Sequence, residues 1–415
     1  MNMREGLKTF LIPAIIISFL VICCDGESTR PEDGIPIRIT APDDGDVLFN
    51  PVTIAAQTGS GFSITDVEFY IDGELVWIDN DRPFEYYWNI FGYENNSEHT
   101  IMATGYSDTA SYTSDTVTVT ISLEEGLLFV AAYRPNADWT YGVATYQNIM
   151  FVATGESGVE VIDVLDKTFP MYISRFESAG QALKVDVRYP HLFIADFSGG
   201  VIRADISDPD SLTEAGLYNI EVQAIDVAVS DDIVFVADQN GFIILDNTLP
   251  DFLVSLFRSY LFSGSNYVTA RNDTAYITNL GNLYIINAST PDSPEIVFAY
   301  QSPGARGVAV IDTFAFVARG DQGVAALSIS DPQNPGYLAG YVTQGAVSSV
   351  EAADSTLFVG TFSGEVIALD YTQPDTLRLF DNLVIDGVLI NYLKFDSPYL
   401  YAATSQGINI LRFIR

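Results

Sequence analysis

Apolar and polar residues follow two different patterns along this chain, and the change between them comes near Glu124. From Ile35 to about Ser122, short alternating apolar runs are separated by clusters of Pro, Gly, Asn and Asp, which is typical of all-β structure. The predicted strands are Ile35–Thr40, Val52–Ala56, Val67–Ile71, Glu74–Ile78, Phe84–Trp88, Thr100–Ala103 and Val117–Ile121. Seven short strands of this kind predict a β-sandwich over residues 35–123.

Two of these strands are predicted to form a hairpin. Asp72-Gly73 lies between the apolar runs Phe69–Ile71 and Leu75–Trp77. A two-residue turn of type I′ needs positive φ at both central positions, and Asp-Gly is among the pairs that favour it.

Beyond Glu124 the chain repeats itself. A strand with an aromatic residue in second place, here named the repeat strand, occurs seven times: Met150–Ala153, Leu192–Ala195, Val234–Ala237, Ala275–Thr278, Ala315–Ala318, Leu357–Gly360 and Leu400–Ala403. Successive copies begin 42, 42, 41, 40, 42 and 43 residues apart. One strand precedes each copy and further strands follow, so each period predicts four antiparallel strands, which is one blade of a β-propeller.

The last copy of this repeated region lacks a fourth strand, and the region begins with one strand that belongs to no copy. The seventh copy stops at its third strand, Ile408–Ile414, whereas Leu127–Tyr133 precedes the first copy without belonging to it. If residues 127–133 supply the missing outer strand, backbone groups at both ends are satisfied and no open edge remains. The predicted fold class is therefore all-β: a sandwich followed by a seven-bladed β-propeller over 124–415, closed by a strand at about 127–133.

A short acidic motif, Asp205-Ile-Ser-Asp-Pro209, has the composition of a catalytic or metal-binding pair. It returns as Ile329-Ser-Asp-Pro332, and most copies carry a polar residue and a proline at these places. A turn is needed in every repeat, whereas a catalytic dyad would be needed once. We therefore expect Asp205 to accept hydrogen bonds from turn amides.

Two parts of the chain resemble known families. The stretches Asp66–Glu74, Pro83–Trp88 and His99–Asp108 resemble the immunoglobulin-like domains of bacterial surface and secreted proteins. That resemblance implies a spacer or adhesion module without a catalytic role, with His99 as a strand-edge residue and not a ligand. The phrases Gly-Val-x-Val-Ile-Asp and Asp-Ile-Ser-Asp-Pro, over about residues 139–415, resemble the LVIVD-repeat family of bacterial and archaeal surface proteins. The second resemblance implies a propeller and says little about activity.

The N-terminus has the features of an export signal. Arg4 and Lys8 precede an apolar run from Phe10 to Ile22, which is short for a membrane span and suits a signal-peptide core. The run ends in Leu20-Val-Ile-Cys-Cys24, which resembles the lipobox of bacterial lipoproteins. The resemblance implies cleavage after a signal peptide of residues 1–23 and acylation of Cys24, with Cys23 as the alternative. Residues 24–34 then form a tether. An uncleaved anchor helix is the competing interpretation.

Composition narrows the function. Asp and Glu number 54 against 19 Lys and Arg, a formal net charge of -35, which excludes a phosphate-binding surface for nucleic acid and disfavours anionic lipid. Both cysteines lie in the N-terminal segment, and the two histidines, His99 and His191, fall in different domains. No cofactor or metal motif is present. The acidic turn Asp43–Asp46 is a candidate for calcium, but no second cluster at ligand spacing completes it. No catalytic residue is assigned.

Candidate binding residues lie on the propeller face where the first strands begin. Charges interrupt the innermost strands eight or six positions before the repeat strand, at Lys184, Asp186, Asp226, Glu351 and Lys394. Loops between second and third strands add Asp196, Asp238, Arg319 and Asp321. These charges either line a solvated channel or form a binding surface, to which Asp186, Asp226 and Glu351 contribute most.

The sequence therefore predicts an exported protein held to a membrane by an N-terminal lipid, on the periplasmic or cell-surface side. We expect the propeller to be a binding, recognition or adhesion module for a surface protein or glycan, and not an enzyme. Two alternatives stay open: an extracytoplasmic hydrolase that acts on carbohydrate through paired carboxylates, and a structural component of a surface layer.

Overall fold

The computed structural model of the chain describes residues 35–415 except 137–138, 220, 262–263 and 374, together with the backbone of a two-residue strand, β1 (Thr9–Phe10). Of residues 265–266 only the backbone is described. The predicted signal peptide, apart from β1, and the tether with its candidate acylation sites Cys23 and Cys24 lie outside the described residues. Within the described part, no helix is long and apolar enough to cross a membrane.

The described chain is all-β apart from one 3-10 helix at Ile90–Gly92. It divides into two compact units. The N-terminal unit takes in the described residues up to Glu125, and the repeat unit begins at Gly126 and runs to Phe413.

The N-terminal unit contains two sheets. Its strands are β2 (Ile37–Ala41), β3 (Val47–Leu48), β4 (Val52–Thr58), β5 (Asp66–Ile71), β6 (Glu74–Asp79), β7 (Phe84–Trp88), β8 (Glu98–Tyr106), β9 (Ser111–Thr113) and β10 (Val117–Ile121). One sheet has the order β2-β4-β7 and the other β3-β10-β8-β5-β6, with β9 paired to β8. Every strand predicted here is present, while the short β3 and β9 were not predicted.

Apolar side chains at alternate positions of the strands form the core of this unit, because successive side chains of a strand point to opposite faces of its sheet. Val67, Phe69 and Ile71 of β5 are buried, whereas the residues between them are partly exposed. The turn that joins β5 to β6 has positive φ at Asp72 (53°) and Gly73 (83°), so the predicted hairpin is confirmed.

The repeat unit consists of β11 and seven repeat sheets of similar construction. After β11 (Gly126–Tyr133), sheet 1 contains β12 (Gly142–Tyr146), β13 (Ile149–Ala153), β14 (Val159–Asp163) and β15 (Met171–Phe176); sheet 2 contains β16 (Lys184–Arg188), β17 (His191–Ala195), β18 (Val201–Asp205) and β19 (Thr213–Tyr218); and sheet 3 contains β20 (Ala224–Ser230), β21 (Ile233–Asp238), β22 (Gly241–Asp246) and β23 (Val254–Ser259). Sheet 4 contains β24 (Ser265–Arg271), β25 (Thr274–Asn279), β26 (Asn282–Asn287) and β27 (Glu295–Gln301); and sheet 5 contains β28 (Gly307–Ile311), β29 (Phe314–Ala318), β30 (Val324–Ser328) and β31 (Gly336–Tyr341). Sheet 6 contains β32 (Val347–Ala353), β33 (Thr356–Thr361), β34 (Glu365–Asp370) and β35 (Arg378–Ile385), and sheet 7 contains β36 (Ile390–Asp396), β37 (Tyr399–Thr404) and β38 (Gly407–Ile414).

Sheets 1 to 6 each follow chain order from first to fourth strand, with β1 added beside β35 in sheet 6. Sheet 7 has the order β11-β38-β37-β36, so its outer strand comes from ahead of sheet 1. Each predicted repeat strand is the second strand of its sheet. The first strand of each sheet contacts the first strand of the next sheet, and β36 contacts β12. We name these first strands the inner strands: β12, β16, β20, β24, β28, β32 and β36.

Apolar side chains fill the space between successive sheets. One cluster joins Phe151 of sheet 1 to Leu192 and Ile194 of sheet 2, and similar clusters join each later pair. The cluster between sheets 6 and 7 includes Leu127 of β11. A sheet that is apolar on both faces must be covered on both, so stacking side by side is what this composition requires.

The acidic motif forms a turn, as predicted. Asp205 Oδ1 accepts a hydrogen bond from the backbone N–H of Ser207 at 2.8 Å, and Asp208 Oδ1 accepts one from Asp210 at 3.0 Å. Hydrogen bonds from Ser207 hold the pKa of Asp205 below its ordinary value. The same bond, from the residue two places on, is made by Asp163, Asp246, Asn287 and Asp370 at the ends of other third strands.

Candidate functional site

Two small cavities lie among the inner strands. The first, of about 210 Å³ and here named the inner cavity, is bounded by inner strands of sheets 3 to 7 and includes Asp226, Glu351 and Lys394 in its wall. The second, of about 200 Å³, is named the aromatic cavity; its wall contains Tyr141, Leu183, Lys184, Ile225, Tyr267, Arg306, Phe362 and Asn391. The inner strands therefore hold five of the nine predicted site residues in or beside these cavities.

Asp186 and Asp226 connect neighbouring sheets. Asp186 Oδ2 accepts a hydrogen bond from the backbone N–H of Val229 at 2.8 Å, and Asp226 Oδ2 accepts one from Val268 at 3.0 Å. The donors lie one sheet further along the chain in each case. An inner strand is the edge of its sheet, and its outward N–H groups lack a ladder partner. These carboxylates supply the missing acceptors.

Sheets 6 and 7 are joined in the same way. Ser349 Oγ accepts from the N–H of Leu393 at 3.1 Å, and Glu351 Oε1 accepts from the N–H of Phe395 at 3.3 Å. Three of the predicted ligand carboxylates thus have a structural role that the sequence did not reveal. Whether they also contact a ligand stays a prediction.

Lysines neutralise part of this buried charge. Lys394 Nζ lies 3.5 Å from Glu351 Oε1, and the charge of Glu351 raises the lysine pKa. Lys184 Nζ donates to the carbonyl oxygen of Tyr141 at 2.6 Å and lies 3.9 Å from the ring centre of Tyr392. Burial lowers the pKa of Lys184 to about 8 and raises that of Asp226 to about 7, while their mutual attraction opposes both shifts. Burial also raises the pKa of Asp186.

The predicted loop residues have another role. Asp196, Asp238 and Arg319 each occupy the fifth position from the start of a repeat strand, where the other copies have Thr154, Asn279, Thr361 and Thr404. In most copies this side chain bonds to the turn that it begins, as Thr154 does to Gly158 O at 2.9 Å and Arg319 to Gln322 O at 3.1 Å. Asp238 likewise accepts from the N–H of Asn240 at 3.4 Å.

Both loop aspartates are fully enclosed. Asp196 is 0% exposed and accepts hydrogen bonds from Ser178 Oγ at 2.5 Å and Gly180 N at 2.7 Å. Asp238, also 0% exposed, forms an ion pair with Arg258 at 3.0 Å. Hydrogen bonds and an ion pair within the repeat unit therefore already use acceptors of both carboxylates, and whether they also contact a ligand stays a prediction. Asp321 is exposed, so the structure does not bring it to the buried charges.

The aromatic cavity was not predicted. Its wall includes residues nine positions before five of the repeat strands: Tyr141, Leu183, Ile225, Arg306 and Asn391. The side chain at this position varies widely between copies, so the fold does not require one residue type there, and this variation was the available signal.

Arg306 is the distinctive group of that cavity. Its guanidinium lies 5.3 Å from the ring centre of Phe362. Among the described residues, none forms an ion pair with it or accepts a hydrogen bond from its side chain. Beside it, Asn391 Nδ2 donates to Thr140 O at 2.8 Å, and Trp139, 40% exposed, stacks on Tyr141 with ring centres 6.3 Å apart.

His99, in the N-terminal unit, lies between Asp72 and Ser97, with 2.6 Å from Nδ1 to Asp72 Oδ2 and 2.6 Å from Nε2 to Ser97 Oγ. The order of groups resembles a catalytic triad. Ser97 Oγ, however, donates its only proton to Glu94 O at 2.6 Å, so the serine is not held for attack by the imidazole. His99 is the second residue of β8, close to its end. No group of three or more His, Cys, Asp or Glu in the described part could hold a metal ion.

Comparison with solved structures shows what this fold is similar to. The crystal structure of RRP9 WD40 repeats matches with a TM-score of 0.56 and 13% identity, over 70% of this chain and 100% of that one. The structure of U3-55K matches with a TM-score of 0.56 and 12% identity, over 69% and 98%. Saccharomyces cerevisiae Sqt1 matches with a TM-score of 0.54 and 8% identity, over 70% and 99%. At such identities the likeness concerns the fold alone, and the repeated four-stranded sheets resemble WD40 propellers.

Family models match both units. No curated protein matches the chain. The bacterial Ig domain matches residues 36–121, and the LVIVD repeat matches residues 179–220, 223–247 and 304–343. A propeller-like repeat unit of this kind fits a binding or recognition module. The chain therefore carries a bacterial Ig domain followed by LVIVD repeats.

Proposed function

We propose that the repeat unit is a closed, seven-bladed propeller that binds a surface protein or glycan, displayed by a lipid-anchored, exported chain. The count of blades is supported by the seven repeat sheets, and closure by three contacts between the ends of the unit. The first is the pairing of β11 with β38.

The second contact is at Gly407, where a Cβ atom would overlap the carbonyl oxygen of Tyr133 in β11. Gly158, Gly200 and Gly323 meet the carbonyl of their own fourth strand in the same way, at Phe176, Tyr218 and Tyr341. β11 thus occupies, beside β38, the place that a fourth strand has in other sheets.

The third contact is made by Thr140, whose N–H and Oγ1 both donate to Thr404 O, at 3.1 and 2.8 Å. Elsewhere the segment before an inner strand bridges the loop of the preceding sheet, as in Gly155 with Ala182 and Gly320 with Val347. The Thr140–Thr404 contact is equivalent to these bridges and joins sheet 7 to sheet 1.

Binding at the cavities is the function that the geometry supports best. The observation that carries the proposal is the aromatic cavity, where the guanidinium of Arg306 lies among aromatic side chains without a carboxylate partner in the described chain. Pockets that combine aromatic walls with a few polar groups are typical of ligand sites. The carboxylates of Asp186, Asp226 and Glu351 each accept a hydrogen bond from a backbone N–H group. Because these oxygens are held by the fold, the arrangement favours binding over hydrolysis by a carboxylate pair.

Display at a membrane is supported by the N-terminal sequence alone. In a bacterial host, Cys24→Ala should abolish incorporation of labelled palmitate and release the protein from the membrane fraction, whereas Cys23→Ala should leave both unchanged. If palmitate incorporation is lost in Cys23→Ala instead, Cys23 is the acylated residue. If the wild-type protein incorporates no palmitate, the lipid anchor is contradicted.

A screen tests the binding function. The chain from Asp25 onward, which keeps all the described residues except β1, is applied to arrays of glycans and surface proteins. We expect saturable binding without turnover, weakened by Arg306→Gln and unchanged by Arg188→Gln, whose side chain is exposed and paired with Asp231. Turnover lost on single carboxylate substitutions would instead indicate a hydrolase, and ordered self-assembly without ligand would indicate a structural component.

A further inference from the structure

The class of ligand can be narrowed from the aromatic cavity, given the binding function proposed above. Its volume of about 200 Å³ is below the range of roughly 300–1,000 Å³ usual for drug-sized ligands, so it accepts one ring-sized unit. A glycan end or a single side group fits this space, whereas a folded protein surface would touch only its rim.

Positive charge marks this cavity within a strongly acidic protein. Lys184 and Arg306 both contribute to its wall, while the whole chain has a formal net charge of -35. The ammonium of Lys184 is already used by Tyr141 O and the Tyr392 ring. The guanidinium of Arg306 lies over the ring of Phe362 and has no ion pair or hydrogen-bond acceptor among the described residues, and its planar fork suits the two oxygens of a carboxylate.

The remaining wall suits a sugar ring. Tyr141, Tyr267 and Phe362 present aromatic surface, and Asn391 adds an amide at the edge. A pyranose has apolar C–H faces and a polar hydroxyl edge, which match such a wall. Trp139, stacked on Tyr141 and partly exposed, extends the aromatic surface beyond the cavity.

The negative net charge of the protein limits how many carboxylates a ligand of this cavity can carry. A net charge of -35 repels a polyanion as it approaches, whereas a single carboxylate meets the guanidinium of Arg306 at short range. We propose that the aromatic cavity binds one hexuronic acid residue at the end of a glycan, with the uronate carboxylate on Arg306.

Calorimetric titration of the chain from Asp25 onward tests this assignment. The probes are the methyl glycoside of galacturonic acid, the neutral methyl galactoside, and N-acetylalanine as a peptide-like carboxylate. We expect the uronate to bind at least about tenfold more tightly than either of the others, a difference of about 1.4 kcal/mol. The galactoside lacks the carboxylate that forms the charge-assisted hydrogen bonds, and N-acetylalanine lacks a ring to pack on the aromatic wall.

Three variants assign the contact. Arg306→Gln should weaken uronate binding by at least about tenfold, and Arg306→Lys should weaken it less, because the charge stays while the fork is lost. Arg188→Gln is the matched control and should bind as the wild type does. Unfolding midpoints of all three are measured first, so that a folding defect is recognised; if Arg306→Gln is unfolded, the ratio between Arg306→Lys and wild type decides.

Each outcome has a defined meaning. Equal binding of the neutral galactoside, or of N-acetylalanine, overturns the uronate assignment and leaves the binding function intact. Uronate binding unaffected by either Arg306 variant overturns the site. If none of the three probes binds but the array screen finds a ligand, the uronate proposal is wrong and the binding function stands. If the array screen also finds no ligand, the proposed binding function is wrong as well.

Discussion

The guanidinium of Arg203 is almost wholly buried, at 1% exposure, and reaches from sheet 2 into sheet 3. It donates to the carbonyl oxygens of Ala215 at 2.8 Å, Leu249 at 2.9 Å and Pro250 at 2.5 Å, and to Asn247 Oδ1 at 2.9 Å. Burial lowers its pKa. The side chain therefore holds the turn after β22 against β18.

Removing that side chain should expose how much the contact contributes. Arg203→Met leaves several buried carbonyl oxygens without a donor, so we expect a loss of more than about 3 kcal/mol in the free energy of unfolding. Arg188→Gln removes an arginine from an exposed ion pair and should cost less than about 1 kcal/mol. Urea titration of both variants measures the difference, and equal losses would contradict the role of Arg203.

The buried Asp226 makes stability depend on pH. Its pKa is raised to about 7 in the folded chain, above the ordinary value of 3.8, because burial disfavours the charged form. Between about pH 4 and pH 7 the folded state keeps a proton that the unfolded state has lost, so stability falls as the pH rises through this window. Below pH 4 both states are protonated and the effect is absent.

Asp226→Asn should remove this component, which is on the order of 3 kcal/mol between pH 4 and 7. The variant keeps one oxygen to accept from the backbone. Asp321→Asn, at an exposed aspartate, is the control and should follow the wild type. Unfolding free energies at pH 4, 5.5 and 7 provide the measurement; an unchanged slope in Asp226→Asn would show that the carboxyl titrates normally.

At the scale of elements, glycine sets how closely third and fourth strands approach. Gly407 has φ of +123° and no room for a Cβ beside the carbonyl of Tyr133. Gly407→Ala should therefore lower the free energy of unfolding by at least about 2 kcal/mol. Gly336→Ala introduces the same methyl group where no atom lies within 4 Å, so it should change stability by less than about 0.5 kcal/mol.

Chemical denaturation of the two alanine variants compares a contact between β38 and β11 with an open position on β31. If Gly407→Ala is as stable as Gly336→Ala, Tyr133 does not lie against β38 and the proposed closure loses its second support.

At the scale of the molecule, closure predicts that the order of strands in the chain can be changed. Residue 133 lies beside residue 407, so the start of β11 falls near the end of β38, and a short Gly-rich linker can join them. A variant with residues 126–133 moved to follow Arg415 should keep its cooperative unfolding, within about 1 kcal/mol of the wild type. Deletion of the same residues should abolish it, since β38 then becomes an uncovered edge.

Calorimetric scans of the moved and deleted variants distinguish the two arrangements. Loss of cooperative unfolding in both would indicate that β11 must enter sheet 7 from its native side, and retention in both would show that β11 is not needed for closure.

Much of the fold could be predicted because each prediction depended on local chemistry. The aromatic second place of each repeat strand, the Asp72-Gly73 turn and the turn made by Asp205 are all decided within a few residues. The role of Asp186 could not be predicted, because its partner, the N–H of Val229, lies in another sheet and becomes a neighbour only when the sheets stack. Arg306 was missed for a related reason: nothing in its own repeat distinguishes it, and only the packed structure shows that no described residue accepts a hydrogen bond from its side chain.

The pairing of β11 with β38 has a consequence for how the chain is made. β11 leaves the ribosome before any repeat sheet, and its partner strand is synthesised last, so β11 waits for almost the entire repeat unit to emerge. Contacts between such distant segments form slowly, and strand edges left uncovered in the meantime invite aggregation. Synthesis that stops before β38 therefore leaves β11 without its partner strand and sheet 7 without its outer strand, so the repeat unit reaches its final form only once all of it has been made.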